Sequence, residues 1–133
     1  MEAAQRFLEA EEREEMGSED SAAATAAAFD MLTKEACAEV AKPEWWSDEG
    51  LKALSVRVVR AAPDDVPAHQ MRATVLSGLG AFVWSAEPPP RSAAELREAA
   101  AHFDRAAALS TAPAVKDQLA GDAARCRHWA DAL

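Results

Sequence analysis

Proline partitions this chain. Seven prolines stand at positions 43, 63, 67, 88, 89, 90 and 113 of its 133 residues. The pyrrolidine ring locks φ and removes a backbone donor, so a helix interior rejects it. The residue before it is also pushed out of the helical region. Each stretch between these breaks must therefore be a self-contained element of modest length. Within the stretches apolar residues recur every three or four positions and nowhere alternate, which is the helical period. The expected fold class is all-α, with about six helices packed as antiparallel pairs in a single domain.

The punctuation places the six helices. The first spans about residues 2–16, with Phe7 and Ala10 inward and a solvated acidic end from Glu11 to Glu15. Gly17-Ser18-Glu19-Asp20 breaks it, and Ser21 caps a second helix carrying Phe29, Leu32, Ala36 and Val40. Lys42-Pro43-Glu44 closes that N-terminal pair, and residues 42–50 form a link. Ser47 or Asp48 then caps a third helix with Leu51, Leu54, Val58 and Ala61 on one stripe. Pro63-Asp64-Asp65 supplies a turn and an N-cap, and Pro67 falls in the first helical turn, where its missing N–H costs nothing. The fourth helix turns Met71, Val75, Leu79 and Phe82 inward and ends near Trp84.

Ser92-Ala93-Ala94-Glu95 is a capping box. It opens a fifth helix with Leu96, Ala99, Phe103 and Ala106 on one face. Thr111-Ala112-Pro113 restarts the chain into a sixth, carrying Val115, Leu119, Ala123, Cys126 and Ala130. Alanine makes up about a quarter of the residues, which favours helix over strand and lets helices approach closely.

Two stretches carry a resemblance. Ala99, Phe103, Ala106 and the later Pro113 resemble the second helix of a tetratricopeptide repeat: alanine, an aromatic four later, alanine three later, then proline. Pro63 through Gly80 looks like the inter-unit turn and first helix of that repeat, with Ala73 in the small-residue slot and Leu76, Leu79 and Gly80 around it. His69 stands where the family usually has Trp, and Arg72 where an apolar residue is usual. The connection from Ala81 to Arg91 is longer than the family's turn, and Pro113 is about two positions late. Fainter echoes of the second-helix spacing occur at Ala3, Phe7, Ala10 and at Leu54, Val58, Ala61. The resemblance covers about residues 51–109 and implies a short tetratricopeptide-like array, closed by the helix over residues 113–133. It further implies that Gln70, Thr74 and Ser77 face a concave groove. The Lys, Arg and Asn set with which some members clamp a terminal carboxylate cannot be placed here, so an apolar or mixed-charge segment is the expected occupant.

Charge and residue chemistry exclude other classes. The net charge of −9 and pI near 4.8 oppose binding to nucleic-acid phosphates, since only Arg57, Arg60 and Arg72 hint at a basic stripe. No apolar run is long enough to span a bilayer. No targeting signal is visible, so a soluble intracellular compartment is expected without being specified. Cys37 and Cys126 match no metal or redox spacing and read as core thiols, with a bridge between them the minority reading. Among His69, His102 and His128 there is no triad. Cys126 and His128 diverge by about 160° on a helix, and His102 and His128 could approach, should the last two helices pair, but two ligands make a weak site. No metal, no cofactor and no enzyme are expected.

The tryptophans remain. At least one of Trp45 and Trp46 is expected to staple the second helix pair to the first, and Trp84 and Trp129 to mark an apolar interaction patch. The expected function is a protein–protein interaction module or a small accessory or scaffold subunit of a larger assembly, with a homo-oligomer compatible. The alternative is a helical bundle that holds a small apolar ligand or pigment.

Overall fold

A computed structural model describes residues 19–35, 45–79 and 81–133, all helix and connection without strand. Five α-helices follow in order: α1 Glu19–Glu35, α2 Asp48–Ala61, α3 Val66–Ser77, α4 Ala93–Leu109 and α5 Pro113–Asp131, with a 3₁₀ turn at Ala81–Val83 between α3 and α4. The expected first helix, with Phe7 and Ala10, lies outside the described residues. So do Ala36, Cys37 and Val40 and the side chains of Leu32 and Phe82.

Local chemistry sets the helix starts. The Ser47 hydroxyl accepts from the Gly50 amide at 3.0 Å, so Ser47 rather than Asp48 caps α2. Gly50 permits this entry, because a Cβ there would stand 2.6 Å from the Trp45 carbonyl oxygen. Asp65 caps α3 by accepting from Ala68 at 3.0 Å, with Pro67 in the first turn. Ser92 and Glu95 form the reciprocal box that opens α4, at 3.1 and 3.0 Å. At α5 the N-cap is Ala112, which contributes no side-chain bond, and Pro113 supplies the pre-set φ.

The fourth expected helix ends earlier than its sequence pattern suggests. It stops at Ser77, not near Trp84, because Gly78 adopts φ +74° and its amide turns back to the Thr74 and Val75 carbonyls. Glycine meets no Cβ penalty in that left-handed cap. Leu79 is consequently half-buried beyond the helix, and Trp84 lies in the connection.

Adjacent helices pack on one another along the chain, and α1 also packs on α3. The buried side chains form two clusters that meet at α3. The first gathers Phe29 of α1, Leu51, Leu54 and Val58 of α2, Met71 and Val75 of α3, and Trp84. Trp45 and Trp46 both pack against it half-buried, with the Trp46 ring 5.9 Å from Phe29 and 6.4 Å from Trp84. The second joins Ala73 and Leu76 of α3, Ala99, Ala100, Phe103 and Ala106 of α4, and Leu119, Ala123 and Cys126 of α5. Ala99, Ala100, Ala106 and Ala123 are fully buried, which is how small side chains bring α3, α4 and α5 together. Val115 does not join this core: it is 40% exposed near the start of α5.

The long connection into α4 is tied down electrostatically. The Arg91 guanidinium, 5% exposed, bonds both Asp48 carboxylate oxygens at the start of α2 and donates to the Val75 carbonyl at 3.0 Å and the Pro89 carbonyl at 2.8 Å. Trp84 Nε1 donates to Asp48 at 3.1 Å, and Lys52 bridges Asp48 and Glu95 at 3.4 and 2.7 Å. Burial raises the Asp48 carboxyl, but the bonds and charges of Arg91, Trp84 and Lys52 outweigh it and hold the group below its ordinary range.

Candidate functional site

A cleft of about 330 Å³ opens between α1, α3 and α5. From α1 come Ala26, Phe29, Asp30 and Thr33; from α3, Pro67, Gln70, Met71 and Thr74; from α5, Val115, Gln118, Leu119 and Asp122. Leu79 and Phe103 complete the lining. The three walls follow from helical spacing, since residues 26, 29, 30 and 33, residues 67, 70, 71 and 74, and residues 115, 118, 119 and 122 each form one stripe. Phe29, Met71, Leu79, Phe103, Val115 and Leu119 give it apolar surface. Gln70, Thr74 and Gln118 offer neutral hydrogen-bonding groups, and Asp30 and Asp122 bring carboxylates. No Lys, Arg or His lines it among the described residues. Asp122 stands 3.7 Å from Arg125 on its own helix.

Two of the three residues expected in a groove, Gln70 and Thr74, line this cleft together. Ser77 does not: it is 6% exposed, and its hydroxyl donates to the Thr74 carbonyl at 3.1 Å while accepting from Leu79. Position 77 falls on the α3 surface turned toward the protein interior. Trp84 is not a surface residue either. At 7% exposure it packs tilted in the aromatic cluster 5.7 Å from Phe29, with its indole nitrogen spent on Asp48. Trp129 is 38% exposed on α5. It lies seven residues, about 10 Å along the helix axis, beyond Asp122 and on the same helical stripe.

Between α3 and α4 lies a polar pair that the spacing of histidines does not predict. His69 on α3 and His102 on α4 stack with ring centroids 5.3 Å apart and their Nδ1 atoms 3.0 Å apart. His69 Nε2 is 2.7 Å from the Pro63 carbonyl, and His102 Nε2 is 3.5 Å from Glu98 Oε2. Glu98 also accepts from Arg72 Nε and Nη2 at 3.3 and 3.1 Å, and Arg72 Nη1 reaches the Lys52 carbonyl and the Ser55 hydroxyl on α2. The partner of His102 is thus on α3, whereas His128 is exposed on α5. The legible signal was Arg72 and His69, three apart in positions where an apolar helix face is expected: two polar groups on a packed face need partners.

Other reactive groups are placed for packing. Cys126 is buried and free, and burial, with the nearby charge of Asp122, pushes its thiol up, away from the nucleophilic thiolate. Among the described residues no three of His, Cys, Asp and Glu come together in a way that could hold a metal ion, and no helix is long and apolar enough to cross a membrane. Compared with protein-family models, with curated proteins and with solved structures, the chain matches none.

Proposed function

We propose that this chain is a protein-docking module whose cleft between α1, α3 and α5 takes a basic, apolar-anchored segment of a partner protein. The observation that carries this is the make-up of the lining: apolar surface, neutral amides able to bond a partner backbone, and the carboxylates of Asp30 and Asp122, with no Lys, Arg or His among the described lining residues. A volume of about 330 Å³ suits one or two large apolar side chains rather than a whole helix. The whole chain carries −9, so a Lys- or Arg-bearing segment is steered toward it and an acidic one is turned away.

The reading also draws support from helix order. α1, α3 and α5 contribute all of the cleft lining except Leu79 and Phe103, the alternation that a tetratricopeptide-like array would have. In such an array the module acts as an adaptor or accessory subunit. The small-ligand alternative rests on one observation, a cleft volume at the lower end of the range for small-molecule pockets.

Three synthetic peptides of equal length, one basic and leucine-bearing, one acidic and leucine-bearing, one basic without leucine, are titrated into the full chain and followed by amide NMR. Only the first is expected to move the signals of Phe29, Gln70, Thr74 and Leu119. Asp30→Lys with Asp122→Lys should weaken it roughly ten- to a hundredfold, with part of the binding lost in salt. Equal binding of the acidic peptide, or no response of the cleft to any, sinks the proposal. An apolar dye that binds the cleft when no peptide does would move the assignment to the small-ligand bundle.

A further inference from the structure

We propose that His69 and His102 form a one-proton latch between α3 and α4: the folded pair takes up a single proton, and a second can enter only if the helices part. Hydrogen-bond logic carries this. The Pro63 carbonyl can only accept, so His69 Nε2, 2.7 Å away, bears the hydrogen. In neutral His69 the other ring nitrogen, Nδ1, is then a bare acceptor. His102 Nδ1, 3.0 Å from it, must supply the hydrogen between them. That leaves His102 Nε2 bare in the neutral pair and facing the Glu98 carboxylate at 3.5 Å.

The first proton has one place to go. At His102 Nε2 it converts two facing acceptors into a charge-assisted contact with Glu98 and leaves the Nδ1–Nδ1 bond intact. The second proton has none. The remaining bare nitrogen is His69 Nδ1, already filled by the hydrogen of His102, and two N–H groups cannot point at each other across 3.0 Å. His69 is 5% exposed, so its ring has no water to turn to without helix separation.

Among the described residues the neighbouring charges are already engaged. α3 presents Arg72, a fixed cation that shares Glu98. α4 presents Glu98 itself and Arg105, whose charge is taken by Asp64 of the α2–α3 turn at 3.0 Å. Asp65 in the same turn is engaged as the α3 cap. From α2, the Lys52 carbonyl and Ser55 hydroxyl both accept from Arg72, the hydroxyl donates to that same carbonyl, and the Lys52 ammonium is held by Asp48 and Glu95. Burial first, then the neighbouring His69 and Arg72, depress the proton affinity of His102 against the pull of Glu98.

The sign follows. The unfolded chain binds a proton at each imidazole below about pH 6.5, and the folded pair binds at most one, so acid favours the unfolded or parted state. The one excluded proton by itself raises the unfolding constant roughly ten- to twentyfold between pH 6.5 and 5, and the depressed affinity of folded His102 adds to that rise. That window lies above the ordinary carboxylate range. Gln70, next to His69 on α3, and Phe103, next to His102 on α4, both line the cleft, so parting these helices disturbs its lining. The latch stands whether or not that cleft docks a segment.

The test uses the full chain labelled with ¹⁵N in histidine, titrated from pH 8 to 4.5, with urea unfolding at matched pH. Expected are one proton taken up by the folded pair, the Nε2–H form at His69, and a rise of at least about tenfold in the unfolding constant between pH 6.5 and 5. His69→Gln should flatten that rise to under threefold, and His128→Gln should leave it unchanged. Should His69→Gln fail to fold, the wild-type ring signals decide by themselves. Independent protonation of both rings in the folded protein above pH 5, or a wild-type change under twofold, overturns the latch.

Discussion

Replacing Arg91 by methionine keeps most of the side chain's apolar volume and removes every bond of its guanidinium. The structure sets the cost. Arg91 and Asp48 are 5% and 12% exposed, so the substitution strands a carboxylate that is almost wholly out of water. Removing one partner of a buried ion pair costs about 3–5 kcal/mol. Lys52, 3.4 Å from Asp48, stays as a counter-charge, and Trp84 still donates to it, which places the expected loss near the lower end, about 3 kcal/mol. Urea unfolding read by tryptophan fluorescence and by circular dichroism measures it. With a slope of about 1.5–2 kcal/mol per molar, the midpoint falls by about 1.5–2 M. Asp48→Asn should lose a similar amount, because the amide keeps an acceptor for Trp84 but offers the guanidinium no charge. The double variant should lose little more than either single one, since no unpaired charge is left. A midpoint shift under about 0.5 M, or losses that simply add, would refute the view that Arg91 and Asp48 hold the α3–α4 connection as a unit.

Gly78→Ala places a Cβ at φ +74° and 3.1 Å from the Arg91 side chain, and should cost about 1–2 kcal/mol in thermal or urea unfolding, whereas Gly121→Ala, which meets nothing within 4 Å, should be neutral or stabilising. Phe103→Ala removes the aromatic shared by the second cluster and the cleft, and should cost about 3–5 kcal/mol by denaturation. Asp48 and Glu95 both titrate below their ordinary values: burial opposes this, but Arg91 at the first and Lys52 at the second outweigh it. Their contribution is therefore present above about pH 4 and lost as pH falls through the depressed folded values, so an acid unfolding series should show a second decline there that Arg91→Met diminishes.

The chain's local code reached a long way. Proline placement, the Ser92–Glu95 box, the Asp65 cap and the three-and-four spacing of Leu51, Leu54 and Val58 are all properties of a dozen consecutive residues, and the helices over them stand where the code puts them. Most core positions were legible for the same reason, because a helix buries one stripe and the stripe is written in its own sequence. The cleft was legible only in part. Gln70 and Thr74 lie four apart and share a wall, but Ser77 does not, and nothing local says which flank of α3 meets water and which meets α4.

The remainder was decided by tertiary packing. α3 touches both core clusters, so its pattern is apolar on more than one face and no single stripe announces its orientation. Gly78 turns the chain at a point where the apolar period runs on to Leu79, since a left-handed cap and the docking of Arg91 beside it outweigh the preference of the next residues for helix. Trp84 resembles an interface anchor until Asp48, 36 residues earlier in the chain, takes its indole hydrogen. His69 and His102 are 33 residues apart and become a pair only because α3 and α4 bring their helix faces into register. Helical spacing acts within a turn or two, whereas ion pairs and proton sharing act between groups the chain brings together only after it folds. The sequence alone therefore determined the helices and most of their buried stripes, and the tertiary structure alone decided the cleft, the Arg91 tether and the histidine pair.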